Sequence, residues 1–304
     1  MFSLKVAYIP EHFATPLFFA EKKGYYKEKN IGVEFVPVPE GTGRLVKLLE
    51  NNEVDVAVGL TEGFVADVAK GNESYKIIGS YVESPLCWAI STGYDRKDVN
   101  QLLDLKGKKI GVSRIGSGSY VMSFVLGRHL KLNDPFFSGY PVCSNFKNLR
   151  DSVNHKTQDS NLYSDAFMWE HFTSKKYFDS KEIKKIGEIY TPWPSWVITV
   201  RSDLLNEQRE KIQDFLRTIT NGIEYFNSHG EEAVSLIASN FDYSPEDATK
   251  WMKTVCFNKA LNEGRFDRES VIHRTASVLQ DAGVLVKDDI DIQSRLEKGV
   301  VSPF

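Results

Sequence analysis

Residues Gly111-Val112-Ser113-Arg114-Ile115-Gly116-Ser117-Gly118-Ser119-Tyr120 put hydroxyls, a guanidinium and three glycines into one short stretch. Lys109–Val112 reads as a short buried strand. Tyr120–Leu132 reads as a helix, with Val121, Phe124 and Val125 at i, i+3 and i+4. The turn between them has almost no bulk, so its backbone can come close to a ligand. The helix that follows aims free N–H groups and a positive dipole end at the turn. Phosphate, sulfonate and carboxylate groups suit such a place. Ser113, Arg114, Gly116, Ser117, Gly118, Ser119 and Tyr120 are therefore candidate contacts. The plain alternative is that Ser117 or Ser119 is only an N-cap. Neither Gly-Lys-Ser/Thr nor a good G-x-G-x-x-G is present, so a nucleotide enzyme is not the first inference.

Other candidates lie at the ends of predicted strands. Glu11 and His12 follow the first strand; histidine there can donate, accept or change charge near neutral pH. A solvent-facing loop pair is the alternative. Gly41 and Thr42 follow the second strand. Thr61 and Glu62 follow the third, where Glu62 either receives a ligand donor or complements the helix dipole. Trp88, Trp169, Trp193 and Trp196 fall in or beside the middle of the chain. Large aromatics are usually core, yet one or two of these, Trp169 and Trp193 first, could form a ring-stacking wall; Trp88 is a further candidate. No catalytic set assembles: His155 and His171 have no cysteine or serine partner at a recognisable spacing. No H-x-x-x-H or clustered aspartate motif points to a metal. Cys87, Cys143 and Cys256 are far apart and odd in number, fitting neither a disulfide framework nor a zinc site.

The elements that must position these residues alternate strand and helix. Strands are predicted at Lys5–Ile9, Val33–Val38, Val54–Val58 and Tyr75–Val82. Helices are predicted from Pro16, over Arg44–Asn51 and over Phe64–Lys70. This order implies a largely parallel sheet with helices on both faces, and ligands at the carboxyl ends of the strands. A second α/β segment starts near Glu83-Ser84-Pro85. Beyond Leu205 the pattern is mainly helical, with Ile212, Phe215, Leu216, Ile219, Ile223 and Phe226 on one face. Arg268–Asp281 reads as a helix, and Lys287–Phe304 as a tail strapped over the surface.

Composition sets bounds. A chain of 304 residues suits two domains or lobes. Hydrophobic content of 41% and charged content of 26% are ordinary for a globular protein. A net charge of −3 supplies no field that would draw nucleic acid or anionic lipid. No run of about 18 apolar residues exists to span a membrane. The start, Met1-Phe2-Ser3-Leu4-Lys5, enters a strand without a basic region or cleavage site. A cytoplasmic location is the expectation.

The order of pieces resembles the substrate-binding components of nitrate/sulfonate/taurine ABC importers and their relatives, the fungal thiamine-pyrimidine precursor synthases. The resemblance rests on Tyr8-Ile9-Pro10 with Pro16-Leu17-Phe18-Phe19-Ala20-Glu21-Lys22-Lys23-Gly24-Tyr25-Tyr26. It rests also on Asn52–Gly59, Asp104–Val112 and the Gly116–Tyr120 turn. It implies a two-lobed type II periplasmic-binding-protein-like α/β fold, each lobe a mainly parallel sheet flanked by helices. Lobe 1 would take residues 1–86 and 196–304, lobe 2 residues 87–195. Two hinge crossings, near Ser84–Trp88 and Ser195–Thr199, would let a cleft close on a ligand.

The implied function is small-molecule binding. The ligand would be a thiamine-pyrimidine precursor, a pyridoxal-type phosphate or a sulfonate. A cytosolic sensor is one alternative. An enzyme of thiamine-pyrimidine formation using pyridoxal phosphate is another. The synthases carry a cysteine-rich iron-binding motif and a consumed histidine. Here Val142-Cys143-Ser144-Asn145 has one cysteine and Thr61-Glu62-Gly63 no histidine, so the expectation leans away from catalysis. No metal and no obligatory cofactor is expected, and no protein partner is named by any motif.

Overall fold

A computed structural model describes residues 1–304. Its contacts divide the chain into two compact units. Unit 1 holds Met1–Pro85, Pro192–Ser277 and Asp288–Phe304; unit 2 holds Leu86–Thr191 and Val278–Lys287. The first two crossings thus fall at 85/86 and 191/192, against expected boundaries of 86/87 and 195/196, and two more follow at 277/278 and 287/288. Val278–Lys287, expected with lobe 1, goes with unit 2. Its anchors there are the Tyr120 hydroxyl, which donates to Ala282 O at 3.3 Å, and an Arg128–Asp281 ion pair. Neither contact has a local sequence pattern.

Unit 1 is built on β1 (Phe2–Tyr8), β2 (Ile31–Pro37), β3 (Val56–Leu60) and β4 (Tyr75–Val82), joined by the last strand of the chain (Trp196–Arg201). Unit 2 contains β5 (Cys87–Gly93), β6 (Ile110–Gly111), β7 (Ala166–Glu170) and β8 (Ile183–Tyr190), which makes the last strand β9. The unit 1 sheet has the order β2-β1-β3-β9-β4, and the unit 2 sheet β6-β7-β5-β8. β1 runs parallel to β2 and β3, while β9 is antiparallel to β3 and β4. In unit 2, β6 and β7 are parallel, and β5 is antiparallel to β7 and β8. Each sheet is therefore mainly one-directional, with a single reversed strand. In both units that strand is the first one after the chain has crossed over.

Strands β3, β9 and β4 are buried almost throughout, as a sheet with helices on both faces requires. Helix Arg209–Ser228 carries the expected face, with Ile212, Phe215, Leu216, Ile219, Ile223 and Phe226 all buried. Three local expectations change. The helix expected at Tyr120 begins at Gly118, because extended Ser117 (φ −72°, ψ 166°) caps it, and it ends at His129. Residues 268–281 are not one regular α-helix: Ser270–Arg274 is a π-turn ahead of the α-helix Thr275–Asp281. There the Thr275 hydroxyl donates to Ser270 O at 3.0 Å. The tail is also more than a surface strap. Ile292–Gly299 is a helix whose Leu296 is fully buried, and Val301 N donates to Ile77 O of β4 at 2.9 Å.

Candidate functional site

Within unit 1 the predicted residues gather after β1, β2 and β3. Glu11 is half-buried and His12 fully buried, so His12 is not the solvent-facing residue of the alternative reading. Its ring stacks on Tyr243 at 4.3 Å and lies 4.1 Å from the Trp251 ring. Burial lowers its pKa well below the usual histidine value, which keeps the imidazole neutral. Gly41 (φ +84°) leads into helix Thr42–Glu50, and the Thr42 hydroxyl accepts from Leu60 N at 3.0 Å. Thr61 opens helix Thr61–Ala69, and its hydroxyl donates to Pro194 O. Glu62 is 2% exposed and accepts from the Trp193 indole N–H at 3.1 Å. Two residues singled out separately, Glu62 and Trp193, are thus direct partners. Tyr8, Ile9, Phe13, Val58, Tyr81 and Trp196 line an apolar recess nearby that has no room for a water molecule.

In unit 2 the Gly111–Tyr120 loop leaves the carboxyl end of β6. Gly116 takes a positive φ of 81°, which favours glycine. The two serines turn inward, with Ser117 4% and Ser119 1% exposed. The Ser117 hydroxyl donates to Arg114 O at 2.8 Å and accepts from Tyr120 N at 3.4 Å. Ser119 Oγ accepts from Ser113 N at 3.1 Å and lies 3.0 Å from Ser117 Oγ. Since the Ser117 proton goes to Arg114, the Ser119 hydroxyl is the donor between the two serines. Both hydroxyl protons are then committed inside the loop.

The helix start then offers backbone donors to a ligand. Gly118 and Ser119 supply the first N–H groups of a helix that has no acidic residue in its first turn. Arg114 is exposed beside them. Tyr120 packs edge-on against Phe124 and Tyr140, each 5.1 Å away between ring centres. Trp88 is 4% exposed, and its buried indole N–H has no hydrogen-bond partner. Trp169 stacks on Phe146 at 4.9 Å.

One constellation escaped the sequence. Cys87 opens β5, His171 follows β7, and Glu188 lies near the end of β8; their ligand atoms are all within 4.8 Å of one another. His171 therefore has a cysteine neighbour in space, at a separation in the chain that no sequence spacing or metal motif reports. Antiparallel pairing of β5 with both flanking strands creates the cluster, and no local motif reports such pairing. Cys143, by contrast, belongs to the core with Leu149, Val153, Phe167 and Ile183, and burial raises its thiol pKa.

A family model described as NMT1/THI5-like matches residues 11–135, and one described as a Ca3427-like periplasmic binding protein matches residues 88–189. The solved structure of the Candida albicans CA3427 gene product is 53% identical, covers 99% of this chain and 97% of its own, and superposes with a TM-score of 0.93. The chain belongs to the CA3427 family. That family is described as exhibiting the generic periplasmic binding protein fold. The CA3427 family shares this fold with more distant proteins. The alkanesulfonate-binding protein SsuA from Xanthomonas axonopodis pv. citri, bound to MOPS, is 12% identical over 94% of each chain, with a TM-score of 0.73. The nitrate-binding protein NrtA from Synechocystis PCC 6803 is 15% identical over 97% of this chain and 85% of its own, with a TM-score of 0.67. No curated protein matches the sequence. No helix of this CA3427-family chain is long and apolar enough to cross a membrane.

Proposed function

We propose that this chain binds a small molecule through an anionic group, a sulfonate, phosphate or carboxylate, held by the N–H groups of Gly118 and Ser119. The observation that carries the reading is the loop's own hydrogen bonding. The Ser117 and Ser119 hydroxyls are bonded within the loop, which holds the backbone donors of a twelve-residue helix in a fixed array with no acid in its first turn. Such an array stabilises negative charge through aligned dipoles and direct hydrogen bonds. Exposed Arg114 adds a cation on the same loop. Fold relatives described as sulfonate and nitrate binders support the choice of an anion. A pyridoxal-type phosphate, a phosphorylated thiamine-pyrimidine precursor and an alkanesulfonate are the probes this reading selects.

Thermal unfolding with each probe in excess tests it. A ligand at about a hundredfold over its Kd stabilises by about 2.7 kcal/mol through mass action, so at least one probe should raise the Tm. The decisive variant is Gly118→Pro. Proline is favoured at the first helical position and only removes an N–H there, and extended Ser117 suits a following proline. The variant should keep its circular dichroism spectrum and lose most of the ligand-induced rise. An unchanged rise in Gly118→Pro would remove the helix start from the site.

A second reading, synthesis of a thiamine-pyrimidine from pyridoxal phosphate, is favoured by the NMT1/THI5-like match. It is opposed by Cys143, the one cysteine near the expected motif, which is a core residue. Turnover of bound pyridoxal phosphate, followed by mass spectrometry of the small-molecule products, separates the two readings.

A further inference from the structure

The geometry points to a divalent metal site of the zinc type in unit 2, formed by Cys87 Sγ, an imidazole nitrogen of His171 and a carboxylate oxygen of Glu188. Strand register explains why these three meet. Cys87 pairs with Tyr190 across β5 and β8, and Ala89 pairs with Glu188. Alternation puts Cys87, Ala89, Glu188 and Tyr190 on one face of the sheet. On the other flank Trp88 pairs with Glu170. The next residue, His171, falls opposite Cys87 and returns to that face. Thiol, imidazole and carboxylate thus converge from three elements at one edge of the sheet.

The donor set is selective. One sulfur, one nitrogen and one oxygen are the ligands of a borderline ion such as Zn²⁺, whereas magnesium and calcium take oxygen alone. Ligand atoms around tetrahedral zinc stand about 3.6 Å apart, as bond lengths of about 2.0–2.3 Å require. The observed separations, within 4.8 Å, close to that value by side-chain rotation. Cys87 and His171 are half-buried and Glu188 is exposed. The fourth position is therefore open to water or a small ligand, as in sites with three protein donors.

The neighbours fit this role. Glu188 accepts from the Tyr190 hydroxyl at 2.8 Å and pairs with Lys185 at 2.9 Å. A carboxylate has about four acceptor positions, so a metal can take one while Tyr190 orients the group. Burial is the main cause that pushes the Cys87 thiol up to about 11. Binding replaces the S–H bond with a metal–thiolate bond and releases the proton to solvent; no oxidation or reduction occurs.

The test uses the full reduced chain, stripped with a chelator and titrated with Zn²⁺ against a chromophoric competitor, and in parallel with Co²⁺. One ion per chain should bind, and the cobalt form should show a thiolate charge-transfer band. Cys87→Ser should abolish the band. Cys87→Ser, His171→Ala and Glu188→Gln should each weaken Zn²⁺ binding at least about tenfold, the lower end of what loss of even an outer partner typically costs. Cys256→Ser, at an exposed cysteine elsewhere in the chain, should leave both readouts unchanged. Should a ligand variant fail to fold, X-ray absorption at the zinc edge of the parent chain decides. It should show one sulfur at about 2.3 Å with nitrogen and oxygen completing the shell. Absence of saturable binding, a shell without sulfur, or unchanged affinity in a folded Cys87→Ser chain would overturn the assignment.

Discussion

His12 shows how burial converts a versatile residue into a committed one. Its ring sits against Tyr243 and Trp251, and desolvation lowers its pKa below 6.5. On acidification the unfolded chain therefore takes up this proton first. The contribution is fully present above about pH 6.5 and is lost as the pH falls from there toward the lowered folded-state value, by at most about 1.4 kcal/mol per pH unit. His12→Phe keeps an aromatic ring and removes the titration. Urea midpoints at about pH 7.5 and about pH 5 should differ less in the variant than in the parent chain. An equal drop in both would mean that His12 is readily protonated in place. The strand-end position of His12 was legible in the sequence. Its enclosure was not, because Tyr243 and Trp251 arrive from a distant part of the chain.

At the scale of elements, helices Thr42–Glu50 and Thr61–Ala69 meet where Gly63 faces Thr42. A Cβ on Gly63 would lie 2.6 Å from Thr42 Cγ2, and the same threonine holds the end of β3 through Leu60 N at 3.0 Å. Gly63→Ala should therefore destabilise the chain by about 1–3 kcal/mol, the usual cost of overpacking. Adding Thr42→Ser removes the clashing methyl and keeps the oxygen, so urea unfolding of the double variant should recover much of the loss. The helix after β6 teaches a related lesson. Small residues and a following apolar period marked its start to within two residues. Only the hydrogen bonds showed that Ser117 caps it and that Gly118 and Ser119 carry the free donors.

For the whole molecule, the chain visits unit 1 three times and unit 2 twice. The final visit, Asp288–Phe304, lies in the stretch that the sequence reads as a surface strap, because its apolar residues are few and spaced over one short helix. Leu296 and Val300 are nonetheless fully buried, and a Cβ on Gly299 would meet Val68. Arg209 and Gln213 donate to Pro303 O at 2.8 Å and 2.7 Å. Deleting residues 288–304 should cost more than about 3 kcal/mol, since three buried aliphatic side chains, Ile292, Leu296 and Val300, leave the core at once. Denaturant unfolding followed by tryptophan fluorescence measures this, and an unchanged midpoint would show that the tail is dispensable to unit 1.

What the sequence determined by itself was element type and order. A β–α alternation, an apolar face repeating every three to four residues and a glycine–serine turn are local patterns, set by which side chains must leave water over a few neighbouring positions. Those patterns marked the helix start beside Gly116, while the periplasmic-binding-protein-like fold was implied by the resemblance that Tyr8-Ile9-Pro10, Asn52–Gly59 and Asp104–Val112 carry. Tertiary structure alone decided which distant residues meet. The Glu62–Trp193 bond, the aromatic enclosure of His12 and the Cys87–His171–Glu188 cluster all arise from pairing between remote segments. Strand register fixes the last of these, and a shift of one residue would turn Cys87 and Glu188 to opposite faces.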